Sequence, residues 1–138
     1  MNHQALLYSL DPKLPLSKIQ EDTEYDPIKY AKLQDRMAEH KIGAILASDT
    51  DFPNKLLPIR PKIHGLYYTG DISLLNRKTL GIVGPRLMSS YGDQVVASLF
   101  EAADSYAIVT ISGMADGIDT RCHTLSLQQQ IPTIAVLG

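Results

Sequence analysis

Residues 80–137 alternate strand, helix, strand, helix, strand, which predicts an α/β protein with a partial doubly wound parallel sheet and flanking helices. Three observations carry this. Short apolar, β-branched runs recur as LGIVG at 80–84, AIVTIS at 107–112 and PTIAVL at 132–137. A helical pattern fills each gap between them. The first two runs also end in glycine-bearing loops that lead straight into those helices. With 138 residues, 44% of them apolar and 20% charged, the chain has the length of one ordinary domain and can bury a core.

Residues 1–25 lack sustained periodicity and carry Pro12, Pro15 and the acidic cluster Glu21, Asp22 and Glu24, so they read as a loose arm. Asp26-Pro27 is a helix start, with Asp as the cap and Pro at a position that needs no N–H. That helix is predicted to reach about His40, with Tyr30, Leu33 and Met37 on one face. Ile42–Ala47 reads as a buried strand. Pro53, Pro58 and Pro61 forbid a long regular element over 48–64. A short extended piece at Gly65–Gly70 and a brief helical turn at 71–76 follow.

Leu80–Gly84 reads as a central parallel strand covered on both faces. Ser90 to about Tyr106 is an amphipathic helix with Val95, Val96, Leu99, Phe100 and Ala103 on its apolar side; Ser90 and Asp93 suggest a capping box. A second helix is predicted from about Gly117 to Gln130. Two regions result: an amino-terminal arm and helix at 1–41, and a partial α/β domain at 42–138.

Thirteen Lys and Arg against fifteen Asp and Glu give a formal charge of −2, so bulk charge points to no nucleic-acid partner. The charge is uneven. Residues 51–100 carry six basic and three acidic side chains, while 101–138 carry Arg121 against four acids. No run approaches the roughly 20 apolar residues of a membrane helix, and no signal peptide is evident. The single Cys122 forms no internal disulfide, which makes a reducing cytoplasm the expected location.

The loops after the first two strands, 84–92 and 112–119, should meet at the carboxyl edge of the sheet, where ligands bind in such folds. Helix N-termini offer free N–H groups and a positive dipole end to phosphate. Glycines 84, 113 and 117 would let backbone approach closely, and Arg86 can make a two-pronged contact to phosphate oxygens. Ser89 and Ser112 belong to the same candidate site. Tyr91 could stack on a base or pack on its own domain. Neither loop has the dinucleotide or P-loop glycine pattern. Asp119 and His123 lie four apart on one helical face, but two ligands are too few for a metal. No Ser–His–Asp arrangement can be argued around Ser112.

These residues resemble the DprA/Smf family of DNA-processing proteins. The matching stretches are Ile82-Val83-Gly84-x-Arg86-x-x-Ser89-x-Tyr91-Gly92, then Ser112-Gly113-x-Ala115-x-Gly117-Ile118-Asp119 with His123, and Thr133-Ile134-Ala135-Val136-Leu137-Gly138. Asp51-Phe52-Pro53-x-x-Leu56 and Leu66-Tyr67-x-x-Gly70 resemble the segment before the family's Rossmann-like core. The resemblance implies single-stranded DNA binding without sequence readout and protection of the strand during natural transformation. It also implies loading of RecA recombinase and competence-linked DNA recombination. Phosphates would lie against the helix N-termini and Arg86. No catalytic chemistry, cofactor or membrane is implied.

The chain departs from the family pattern at Leu87, where a basic residue is common, and at Asp116, whose charge would repel phosphate. Members continue past the position of Gly138 into further strands and a dimer surface. An open sheet edge is therefore expected here, and RecA loading and a homodimer are not expected to carry over. Two other readings stay open. One is a nucleotide-phosphate-binding enzyme of a related Rossmann-like family, although its Pro-Gly-Gly-x-Gly-Thr pattern is absent. The other is a remnant with the fold and no activity.

Overall fold

The computed structural model describes residues 26–59, 63, 65–103 and 106–137. The arm at 1–25 and the cations Arg60 and Lys62 lie outside these. The chain divides into two compact units, 1–72 and 73–138.

In the first unit, the Asp26 carboxylate accepts from the amides of Ile28 and Lys29 at 2.9 and 3.3 Å and starts helix α1, Pro27–Glu39. Its end is a Schellman turn. Lys41 takes the left-handed conformation at φ 53°, its amide donates to Ala38, and Ile42 donates to the Met37 carbonyl. Strand β1, Gly43–Leu46, follows at once. β1 pairs antiparallel with β2, Gly65–Tyr68, with Gly43 opposite Tyr68 and Leu46 opposite Gly65. Between them the prolines leave one 3-10 turn, Asn54–Leu56, and Ile45, Leu46, Phe52 and Pro53 are buried.

The second unit holds the parallel sheet. Strands β3 (Thr79–Gly81), β4 (Val109–Ser112) and β5 (Thr133–Ala135) lie in the order β3-β4-β5. Helix α2, Ser90–Ala103, joins the first pair and α3, Ile118–Gln128, the second. The parallel α/β class is thus as the alternation predicts. The place of the first strand is not: β3 stands at one end of the three-strand order, and β4 is central. The apolar run 80–84 divides its duties. Leu80 and Ile82 join the core, whereas Val83 is 79% exposed.

That core joins Ile82 to Val96 and Phe100 of α2 and to Ile118, Cys122 and Leu125 of α3. Burial pushes the Cys122 thiol above its ordinary pKa; the hydroxyls of Thr110 and Ser126 oppose this and the charge of Asp119 adds to it. α3 meets the sheet through hydroxyls. Thr110 Oγ1 lies 2.7 Å from Ser126 Oγ and donates to Thr133 Oγ1 at 2.8 Å, and His123 Nδ1 is 2.7 Å from the same Thr133 oxygen. The hydroxyls of the fully buried Thr110 and Ser126 are thus satisfied, while the buried His123 Nε2 has no partner among the described residues.

α2 is capped one residue earlier than the sequence suggests. Ser89, not Ser90, accepts through its hydroxyl from the Gly92 amide at 3.1 Å. α3 ends in a second Schellman turn, with Gln130 left-handed at φ 57° and Ile131 donating to the Ser126 carbonyl at 2.8 Å. A side chain in that conformation costs about 1–2 kcal/mol, partly offset by the greater unfolded-state freedom of glycine. Gln130→Gly should therefore stabilise the unit by about 0.5–1 kcal/mol, read as a higher urea midpoint at unchanged m-value.

Candidate nucleic-acid interface

The loops after β3 and β4 interlock through α3. Gly117, at φ 78°, lies so close to the Pro85–Arg86 backbone that any side chain would collide with its carbonyl groups. The next amide, Ile118, donates to the Pro85 carbonyl at 3.3 Å. The Ile118 side chain is buried beneath the first loop, where a Cβ at Gly84 would come within 2.6 Å of it and one at Gly92 within 3.2 Å. Of the candidate glycines, 84 and 117 thus serve close packing of one loop on the other. Ser112 is buried, and its hydroxyl donates to the Ile82 carbonyl at 2.7 Å, fastening the end of β4 to the strand beside it. It positions the loops and does not face solvent.

Asp119 has a role that its spacing to His123 does not reveal. It is buried in the first turn of α3, and its Oδ2 accepts from the amides of Gly113 at 3.2 Å and Ala115 at 3.4 Å. The donors foreseen for an external anion at Gly113 are therefore answered by the protein's own carboxylate. The Thr120 amide donates to the Ala115 carbonyl and Ile118 to Pro85, so the start of α3 offers little to a ligand. Asp119 and His123 serve different partners. No group of three or more His, Cys, Asp or Glu side chains suited to a metal occurs among the described residues. An acidic residue two places after a loop glycine, in a helix's first turn, was the available signal for such a clamp.

The start of α2 is different. Ser89 caps it through Gly92, and the amides of Ser90 and Tyr91 take no partner among the described residues. Arg86 is exposed and forms no ion pair among the described residues, whereas Arg121 is paired with Asp93, Nε to Oδ1 at 2.5 Å. Tyr91 is 77% exposed and stands clear of the core. The structure therefore gathers Gly84, Arg86, Ser89 and Tyr91 on the first loop and helix start. Gly117 lies beneath the first loop as a seat; Ser112 is buried, and Gly113, itself exposed, gives its amide to Asp119. Exposed Val83, Leu87, Met114, Val136 and Leu137 belong to these loops and to the end of β5.

Fold and site define a parallel α/β protein whose strand-to-helix loops converge at the carboxyl edge of its sheet, with a cation and open helix amides on one of them. The family model described as DNA recombination-mediator protein A matches residues 43–138, and the chain belongs to that family. It is 30% identical to the DNA processing protein DprA of Bacillus subtilis over 95% of this chain and 50% of that protein. It is 37% identical to the Streptococcus pneumoniae DprA over 53% of this chain and 26% of that one. The X-ray structure of the S. pneumoniae DprA superposes with a TM-score of 0.67 at 27% identity, covering 98% of this chain and 51% of that one. The chain spans at most about half the length of these relatives. No helix among the described residues is long and apolar enough to cross a membrane.

Two substitutions test the site's construction. Gly117→Ala should cost about 2 kcal/mol or more in urea unfolding, because both its left-handed backbone and its contact with Pro85–Arg86 exclude a Cβ. Asp119→Ala strips the amides of Gly113 and Ala115 of their acceptor and should cost about 2–3 kcal/mol. Fast hydrogen exchange confined to those two amides would show the clamp opening.

Proposed function

We propose that this chain binds single-stranded DNA at the first loop and the start of α2, through phosphate contacts, as a DNA-processing protein acting in recombination. The observation that carries the reading is the exposed Arg86, unpaired among the described residues, three residues before a helix start with two open amides. A phosphate there gains a charge-assisted contact together with the helix's partial positive charge. Membership of the DNA recombination-mediator family supports nucleic acid as the source of that phosphate. Contacts to the backbone alone carry no sequence information, so binding should be indifferent to base sequence. Tyr91, which is 77% exposed, would lie against a base.

The clamp at Asp119 moves the proposed contact away from the second loop. Gly113, Ser112 and Gly117 act by holding the first loop in shape. Binding without bond cleavage is the reading we favour. Links to natural transformation, competence and RecA, which the family resemblance implies, are proposals for this chain, as is a cytoplasmic setting.

Fluorescence anisotropy of labelled oligo-dT tests this at two salt concentrations. Affinity should fall as salt rises, since each neutralised phosphate releases counterions. Arg86→Ala should weaken binding about tenfold and reduce the salt slope by about one. Asp116 is exposed on the second loop, and Asp116→Lys should tighten binding. A folded protein that binds no oligonucleotide at low salt would overturn the proposal. Stabilisation by a mononucleotide but not by oligo-dT would favour the nucleotide-binding alternative.

A further inference from the structure

Helix α1 carries its charges against its own stability. Lys29, Lys32 and Arg36 follow one another at i, i+3 and i+7, so they fall within about 60° on the helix and form one row. All three are exposed, and none has an ion-pair partner among the described residues. Neighbours of like charge at these spacings repel. Lys29 also stands in the first turn, where the positive end of the helix dipole disfavours a cation and no acidic residue offsets it. Asp35 and Glu39 make the adjoining row. Each follows a cation by three residues, basic before acidic, which is the weaker order for such a pair, and no ion pair forms. On the other flank Tyr30, Leu33 and Met37 are half-buried, and no residue of α1 is fully buried. Locally unfavourable choices of this kind concentrate where a protein meets a ligand.

The spacing of the row says which anion fits. From Lys29 to Arg36 the helix rises about 10 Å, close to about three nucleotide steps of a stacked strand. A lone phosphate would meet one of these cations at a time, whereas a repeating anion meets all three. An anionic membrane would take up the apolar flank as well, and Tyr30, Leu33 and Met37 are already half-buried. In a chain of net charge −2 the row is a local attraction and not an effect of bulk charge. We propose that Lys29, Lys32 and Arg36 are a second contact for single-stranded DNA, on the first unit and distinct from the Arg86 loop of the second. It takes phosphates of the strand's backbone and reads no base. This rests on the nucleic-acid reading given above and adds a site to it.

A triple variant, Lys29→Gln with Lys32→Gln and Arg36→Gln, tests it in the full 138-residue chain. Anisotropy of labelled oligo-dT is followed from about 50 to about 200 mM salt, beside the parent, Arg86→Ala and Lys78→Gln. The plot of log affinity against log salt should flatten by about two in the triple variant, since each lost phosphate contact removes about 0.7. Its melting temperature should equal or exceed the parent's, because glutamine keeps the helix propensity and relieves the repulsion. Lys78→Gln removes an exposed lysine just before β3 and should leave the slope near the parent's. An unchanged slope in the triple variant overturns the proposal. So does a melt several degrees below the parent's, which would make the row a structural element of its own chain. So does an equal flattening per charge from Lys78→Gln, which would make the attraction one of net charge. Binding to phosphatidylserine vesicles that the triple variant loses while it keeps oligo-dT would overturn it in favour of a membrane surface. A parent that binds no oligo-dT removes both sites. An effect of Arg86→Ala without one of the triple variant removes this site alone, and the reverse removes only the first-loop site.

Discussion

The site depends on the burial of one side chain, Ile118, beneath the loop that leaves β3. For it to sit there, the loop above must have no side chain at Gly84, and the residue before it must be able to turn left-handed against the Pro85–Arg86 peptide. Once Ile118 is seated, its amide reaches the Pro85 carbonyl and α3 is fixed at its first residue. α3 in turn brings Asp119 under the second loop and Cys122 and Leu125 into the core. The local geometry at the sheet's carboxyl edge and the packing of the core are thus one constraint, met at one residue.

A second feature sets register. α3 rests on β4 and β5 through Thr110, Ser126, Thr133 and His123, a run of polar side chains linked at 2.7–2.8 Å. An apolar interface of that size would tolerate sliding. A chain of hydroxyls does not, because displacement by one residue would strand several buried donors and acceptors together. The Ser112 hydroxyl on the Ile82 carbonyl does the same between neighbouring strands.

Much of this was legible. The three apolar runs, the Asp26-Pro27 helix start and the proline-rich gap announced the elements, because each follows from local chemistry. The candidate loops were legible too, since glycine at strand-to-helix turns is dictated by backbone geometry. What the sequence left open was assignment within the loops. Ser112, Gly113 and Gly117 read as ligand contacts, yet the same small residues serve equally to bury a neighbour, and only three-dimensional placement separates the two uses. Asp119 read as a weak metal candidate through its spacing to His123; its true partners are amides four and six residues before it, which no side-chain pattern reveals. The edge position of β3 was likewise invisible, because a strand covered on both faces and one whose cover lies elsewhere share the same apolar run.

The Asp119 clamp has a consequence for how the molecule meets an anion. In many phosphate-holding loops the ligand itself supplies the negative charge around which the amides assemble, so binding must order the backbone. Here the group that gathers the amides of Gly113 and Ala115 is the protein's own carboxyl, Asp119. The second loop is assembled as the chain folds, and the first loop rests on it. On the proposed reading, an incoming phosphate would meet a preformed surface and spend none of its interaction energy on ordering that backbone.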